Sequence, residues 1–144
     1  MTETVKNKLL KLVEDAKEAY VSSLDEAGFP HTRAMFSLMH DGLFTHYLST
    51  NVSAEHTAQF RKDSRACLYF CEPSRFLGLN LIGTVEVCTD RKHREMLWHE
   101  GDEKYYPKGI DDEDYCVLKF TALHCRYYHG EGNFDKGSFT PESF

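Results

Sequence analysis

Two short runs carry residue types suited to holding a phosphate. His31-Thr32-Arg33-Ala34-Met35 reads as strand, and Leu48-Ser49-Thr50-Asn51-Val52-Ser53 leads from another strand into a helix. The first amides of a helix lack intrahelical partners and carry the positive end of its dipole, so a Ser/Thr/Asn turn at that point can seat an anion. An arginine on a neighbouring strand would add a two-pronged, charge-assisted contact. On the residues alone a plainer account stands beside this one: Thr50 to Ser53 only turn and cap the helix, and Arg33 is a surface strand residue.

Eight histidines and five cysteines raise the question of a metal. Cys67, Cys71, Cys88, Cys116 and Cys125 lack Cys-x-x-Cys spacing and fall mostly inside apolar runs, which suits buried free thiols in a reducing compartment. Cys67 and Cys71 lie on one strand, roughly 13 Å apart at ~3.3 Å per residue. His93 and His99 face different ways on a helix, and His124 and Cys125 point to opposite sides of a strand. No pair compared in this way has ligand spacing, so no metal is expected.

The elements that must position these groups follow from periodicity. Val5, Leu9, Leu12, Val13 and Ala16 share one face of a helix within residues 1–17. Ala19 to Leu24 is extended, Asp25-Glu26-Ala27-Gly28 turns, and Phe29 to Met39 returns. Asp41-Gly42 marks the next hairpin, before a strand from Leu43 to Ser49. A helix over Ser53–Lys62, capped by Ser53, precedes strands Arg65–Glu72 and Leu77–Cys88, the latter bent at Gly83. Thr89-Asp90 caps a helix from Arg91 to His99. Cys116–Ala122 and Cys125–Tyr128 are the last strands. The tail, 130–144, has a loop-like composition that should fray, unless a partner or its own barrel holds Phe134, Phe139 and Phe144.

Composition bounds the function. A chain of 144 residues, 41% hydrophobic and 28% charged, fits one compact domain over 1–144. Against 23 acidic side chains it has 17 basic ones, a net charge of −6 with no concentrated basic face, which argues against a nucleic-acid partner. The opening run MTETVKNKLLKLVEDAK mixes apolar and charged residues and reads as neither signal peptide nor membrane span, so a cytoplasmic protein with no membrane partner is expected.

The ordered set DEAGFP, HTRAM, a strand ending in ST, a helix, RACLYF, GTVEV, a helix ending LW, YYPKGIDDEDYCVLKF and RYYHG runs from about Val21 to Tyr128. It resembles the general-stress flavoprotein branch of the pyridoxamine 5′-phosphate oxidase-like family. That resemblance implies a mainly β fold with flanking helices, a six-stranded antiparallel split β-barrel. It also implies a homodimer with FMN at the interface. Carried over position by position, Arg33 would meet the FMN phosphate or ribityl chain, and Ala34, Met35 and Phe36 the flavin ring. Ser49, Thr50 and Asn51 would bind the phosphate end, with Ser53 and the helix amides nearby. Leu79 and Asn80 would lie on the strand along the isoalloxazine edge.

The chain departs from the family where a Ser-Arg-Lys run often serves the phosphate: here stand Ala54-Glu55-His56, leaving His56 in place of a lysine. Gly78 stands where true pyridoxamine phosphate oxidases place a glutamine, and their C-terminal Arg-x-His element is missing. Vitamin B6 oxidation is therefore not expected. The resemblance implies an FMN-dependent oxidoreductase acting on a small-molecule substrate with a transient electron donor. A non-enzymatic flavin- or haem-binding store or sensor on the same fold is the alternative. Trp98, Tyr105 and Tyr106 are expected to serve a subunit interface, the alternative being that they close their own barrel.

Overall fold

The apolar stripe of the first helix and the alternation of the strands are satisfied together by one curled sheet. In the computed structural model, which describes residues 1–37, 39–130 and 134–144, helix α1 (Glu3–Asp15) is capped by Thr2, whose hydroxyl accepts from the Val5 amide at 3.2 Å. It buries Val5, Leu9, Leu12 and Val13 against strand β5 (Arg65–Glu72). Strands β1 (Glu18–Leu24), β2 (Pro30–Phe36), β3 (Met39–Asp41), β4 (Thr45–Asn51), β6 (Leu77–Cys88), β7 (Tyr115–His129) and β8 (Asp135–Phe139) complete an antiparallel sheet in the order β2-β1-β5-β6-β7-β4-β3, with β8 also on β7.

The sheet curls so far that β2, at one end, returns to within 8 Å of β4 near the other, with no ladder between them among the described residues. This is a split barrel. Its inner face holds Val21, Leu68, Leu81 and Cys125 in register across four strands, all fully buried. A second, smaller core lies outside the barrel, where helix α3 (Arg91–Leu97) covers Cys88, Tyr115 and Val117. Trp98 and Tyr106 pack there against Tyr115, with ring centroids 5.4 and 4.7 Å away, so these two aromatics serve their own chain and only Tyr105 stays well exposed.

Among the described residues there are eight strands, against the six that the resemblance implies and the seven that periodicity marks. The return strand expected over Phe29–Met39 divides into β2 and β3, its junction at position 38 lying outside the described residues. The two expected last strands are one: β7 runs unbroken because Leu123 is extruded as a bulge opposite the Ile82–Gly83 step. Glycine is required at 83, since a Cβ there would stand 1.9 Å from the Thr121 carbonyl oxygen. The tail adds β8. Phe139 is buried, and Phe144 packs against it and meets Phe44 edge-on, at centroid distances of 5.2 and 5.5 Å. Lys6 of α1 donates to the Phe144 carbonyl and lies over its ring. The tail is thus held by its own barrel, although Phe134 remains exposed.

Candidate functional site

At the split between β2 and β4 the sheet ladder stops, and side chains from both strands meet the start of helix α2 (Glu55–Lys62). Arg33 is placed there by strand alternation: Arg33 and Met35 are half-buried, whereas Thr32, Ala34 and Phe36 are exposed. One guanidinium nitrogen donates to the Val21 carbonyl at 3.1 Å. Arg33 has no salt bridge among the described residues. Burial pulls its pKa down and the nearby Glu55 carboxylate pushes it back up. A partly desolvated guanidinium without a direct carboxylate partner is a strong site for an anion.

Thr50 and His56 complete the cluster. The Thr50 hydroxyl and His56 Nε2 are 2.7 Å apart. The His56 pKa is lowered, first by burial and then by the Arg33 charge, with Glu55 opposing. The imidazole is accordingly neutral near pH 7 and supplies no standing charge. Of these three side chains, Arg33 alone carries a standing charge.

The turn before α2 is built differently from the expectation. Ser53 is not the cap: Ala54 occupies that position and makes no side-chain capping bond. Ser53 turns instead to Asp114, its amide donating at 2.8 Å and its hydroxyl at 3.0 Å, while the Asn51 side-chain amide donates to the same carboxylate at 2.7 Å. These bonds, with Asn51 the largest contributor, hold the Asp114 pKa below the usual carboxylate range. A charged acceptor outcompetes the weak cap that the serine would form. Asp114 is about sixty residues from the turn in sequence, and only the β4–β7 pairing of Asn51 with Tyr115 brings them together; no local signal reveals it.

The expected site residues therefore fall into separate groups. Arg33, Thr50 and His56 converge, with Met35 packed on the core behind them. Phe36, Ser49 and Asn51 line an outer cleft of about 400 Å³, together with Tyr105. Ala34 is exposed on the outer face. Leu79 is wholly buried in the barrel core. Asn80 lines a different cleft, of about 660 Å³, with Tyr69, Phe76, Arg126, Tyr128 and Lys136. Register places Ala34, Tyr20, Tyr69 and Asn80 in one row on the outer face. Three strand spacings, roughly 14 Å, thus separate β2 from Asn80.

That second cleft was not legible as a site. Two of its lining rings sit against glycines: a Cβ on Gly78 would meet the Tyr128 ring at 2.4 Å, and one on Gly130 the Phe76 side chain at 2.8 Å. These two rings hold their places because neither glycine carries a side chain. Tyr69 and Tyr128 share a hydrogen bond of 2.5 Å between hydroxyls, and burial followed by that bond raises the Tyr69 pKa. A glutamine at position 78 would displace Tyr128.

The arrangement is a split barrel with Arg33, Thr50 and His56 clustered at the slit. Residues 5–129 match the family model described as pyridoxamine 5′-phosphate oxidase. The chain belongs to the pyridoxamine 5′-phosphate oxidase-like family. Among solved structures it is similar to a protein from Clostridium acetobutylicum, described as related to general stress protein 26 of Bacillus subtilis, with 40% identity, 99% of this chain and 98% of that one covered, and a TM-score of 0.86. General stress protein 26 from Bacillus anthracis has 13% identity over 94% of this chain and 98% of its own, with a TM-score of 0.75. A haem-binding protein from Mycobacterium smegmatis has 18% identity, covering 99% of this chain and 60% of its own, with a TM-score of 0.77. The last two speak to the fold alone. No curated protein matches the chain.

The donor set of this family member fits a phosphate group, but with fewer groups than the sequence suggested. Arg33, Thr50 and His56 are available to it, whereas the amide and hydroxyl of Ser53 and the amide of Asn51 are engaged by Asp114. Among the described residues no helix is long and apolar enough to cross a membrane.

Proposed function

We propose that this protein is an FMN-binding oxidoreductase of the general-stress type, working as a homodimer on a small-molecule substrate. The observation that carries the reading is the half-buried Arg33, free of any direct carboxylate partner among the described residues and grouped with Thr50 and His56 at the mouth of α2. Arg33 holds the phosphate by charge, Thr50 donates a hydroxyl, and His56 fixes that hydroxyl's direction. Phe36 and Tyr105, 67% and 58% exposed at one cleft, offer aromatic surface to a flat ring. When bound, the flavin supplies the electron-transfer chemistry, and the protein's part is to bind, orient and exclude water. Nothing in this division of labour needs a dedicated acid or base.

The homodimer reading rests on separation. Asn80 and Arg33 stand on opposite faces of the sheet, and one chain does not bring them to one ligand. A two-fold partner presenting its Asn80 cleft to the Arg33 slit would. The family's glutamine position is filled here by Gly78 under Tyr128, which supports a substrate other than pyridoxamine phosphate.

The visible spectrum of the purified protein, incubated with FMN or haem and then freed of excess ligand, tests the reading. Yellow flavin bands that bleach on adding a reduced nicotinamide are expected. A Soret band with no flavin uptake would assign the protein to haem storage or sensing instead.

A further inference from the structure

At the junction of β6 and α3, on the far side of β7 from the barrel core, three different ligand types meet. Cys88 Sγ, an Asp90 carboxylate oxygen and a His93 ring nitrogen all lie within 4.8 Å of one another. We propose that Cys88, Asp90 and His93 form a site for a divalent transition cation of zinc's class, with three protein ligands and an open fourth position.

The arrangement follows from the fold. Cys88 ends β6 on the outer face, where pairing with Val117 and the cover of α3 bury it to 4% exposure. Asp90 is the cap of α3, accepting from the His93 amide at 3.3 Å. His93 comes round one helical turn later, and its Nδ1 lies 2.7 and 2.8 Å from the two Asp90 oxygens. The Tyr47 ring, 6.2 Å away, packs beside the imidazole.

The chemistry of the set selects the metal class. Zinc takes thiolate at about 2.3 Å and imidazole or carboxylate at about 2.0–2.2 Å, so tetrahedral ligand atoms stand some 3.3–3.7 Å apart. The present contacts, from 2.7 to at most 4.8 Å, bracket that spacing and need side-chain shifts of about an ångström. A sulfur and a nitrogen ligand disfavour magnesium and calcium, which prefer oxygen. Coordination releases the Cys88 thiol proton to solvent and places the cation where Asp90 and His93 now share a hydrogen. Asp90 is exposed, so the open position faces water and the cation has an entry path. This mixed Cys-x-Asp-x-x-His run crosses from a strand end through a helix cap into the helix, so ligand spacing within a single element does not display it.

Cobalt(II), a spectroscopic stand-in for zinc, tests the site in the untagged full chain under reducing conditions. A single equivalent is expected to give an intense near-ultraviolet sulfur-to-cobalt band and tetrahedral visible bands, both erased by added zinc. Cys88→Ser should remove the sulfur band. Asp90→Asn, which keeps the helix cap, and His93→Gln should each weaken binding at least as much as the ~10–100-fold loss typical of disturbing even an outer-shell partner. His99→Gln should bind as the parent does. No sulfur band in the parent, or a band that survives Cys88→Ser, overturns the proposal.

Discussion

His56 sets the pH behaviour expected of the proposed phosphate site. Its pKa lies below the ordinary value near 6.5, because burial and Arg33 both disfavour the imidazolium. A bound phosphate would stabilise that imidazolium, so the bound-state pKa exceeds the free one. FMN affinity therefore rises as pH falls through the window between those two values, and is flat above it. His56→Gln should lose this acid-side gain. His56→Lys should hold FMN about tenfold more tightly near pH 8, as one more charged hydrogen bond supplies. Dissociation constants measured from pH 5 to 8 for the three proteins check this, and identical profiles for the parent and His56→Gln would exclude His56 from the site. The same residue scale shows the limit of local reading. Thr50 was singled out by the run that contains it and His56 only by the family resemblance, whereas the capture of Ser53 and Asn51 by Asp114 depends on a strand pairing that no local pattern encodes.

At the scale of elements, β4 places His46 in the barrel core at 1% exposure, between Phe70 and Phe120, with its Nε2 2.8 Å from the Leu43 carbonyl. Burial, the largest cause, takes its pKa down to about 4. The unfolded chain binds a proton near pH 6.5 while the folded chain does not, so stability is full above that pH and falls as pH drops toward 4. The loss across this window is roughly 3 kcal/mol. Urea midpoints from pH 7 to 4 should show the decline in the parent, and His46→Gln should have a shallower acid limb. An equally steep limb would place the acid sensitivity elsewhere. Helix α1, the Gly28 and Gly42 turns and the bend at Gly83 were legible because apolar period and glycine punctuate them locally. Strand β8 was not: Asp-Lys-Gly-Ser-Phe has the composition of a loop, and becomes a strand only because the edge of β7 is open to it and Phe139 has a core to enter.

For the whole molecule, the split-barrel class could be read from the ordered motifs, while the strand count could not, since β3 splits off the return strand, β7 runs unbroken through its bulge and β8 forms only by pairing with β7. The division of the expected site between the slit at Arg33 and the cleft at Asn80 is the strongest structural argument for a second subunit. Light scattering with FMN present should give about twice the 16.7 kDa chain mass. A monomer that holds FMN tightly would contradict the interfacial site. The most direct test of the central claim, that Arg33 seats the FMN phosphate, is a titration of FMN into the parent and Arg33→Ala proteins followed by flavin fluorescence. Saturable binding that weakens about tenfold to hundredfold on losing the guanidinium is the predicted result, equivalent to ~1.5–3 kcal/mol for a hydrogen bond to a charged group. Equal affinity in the two proteins, or none in the parent, would contradict it.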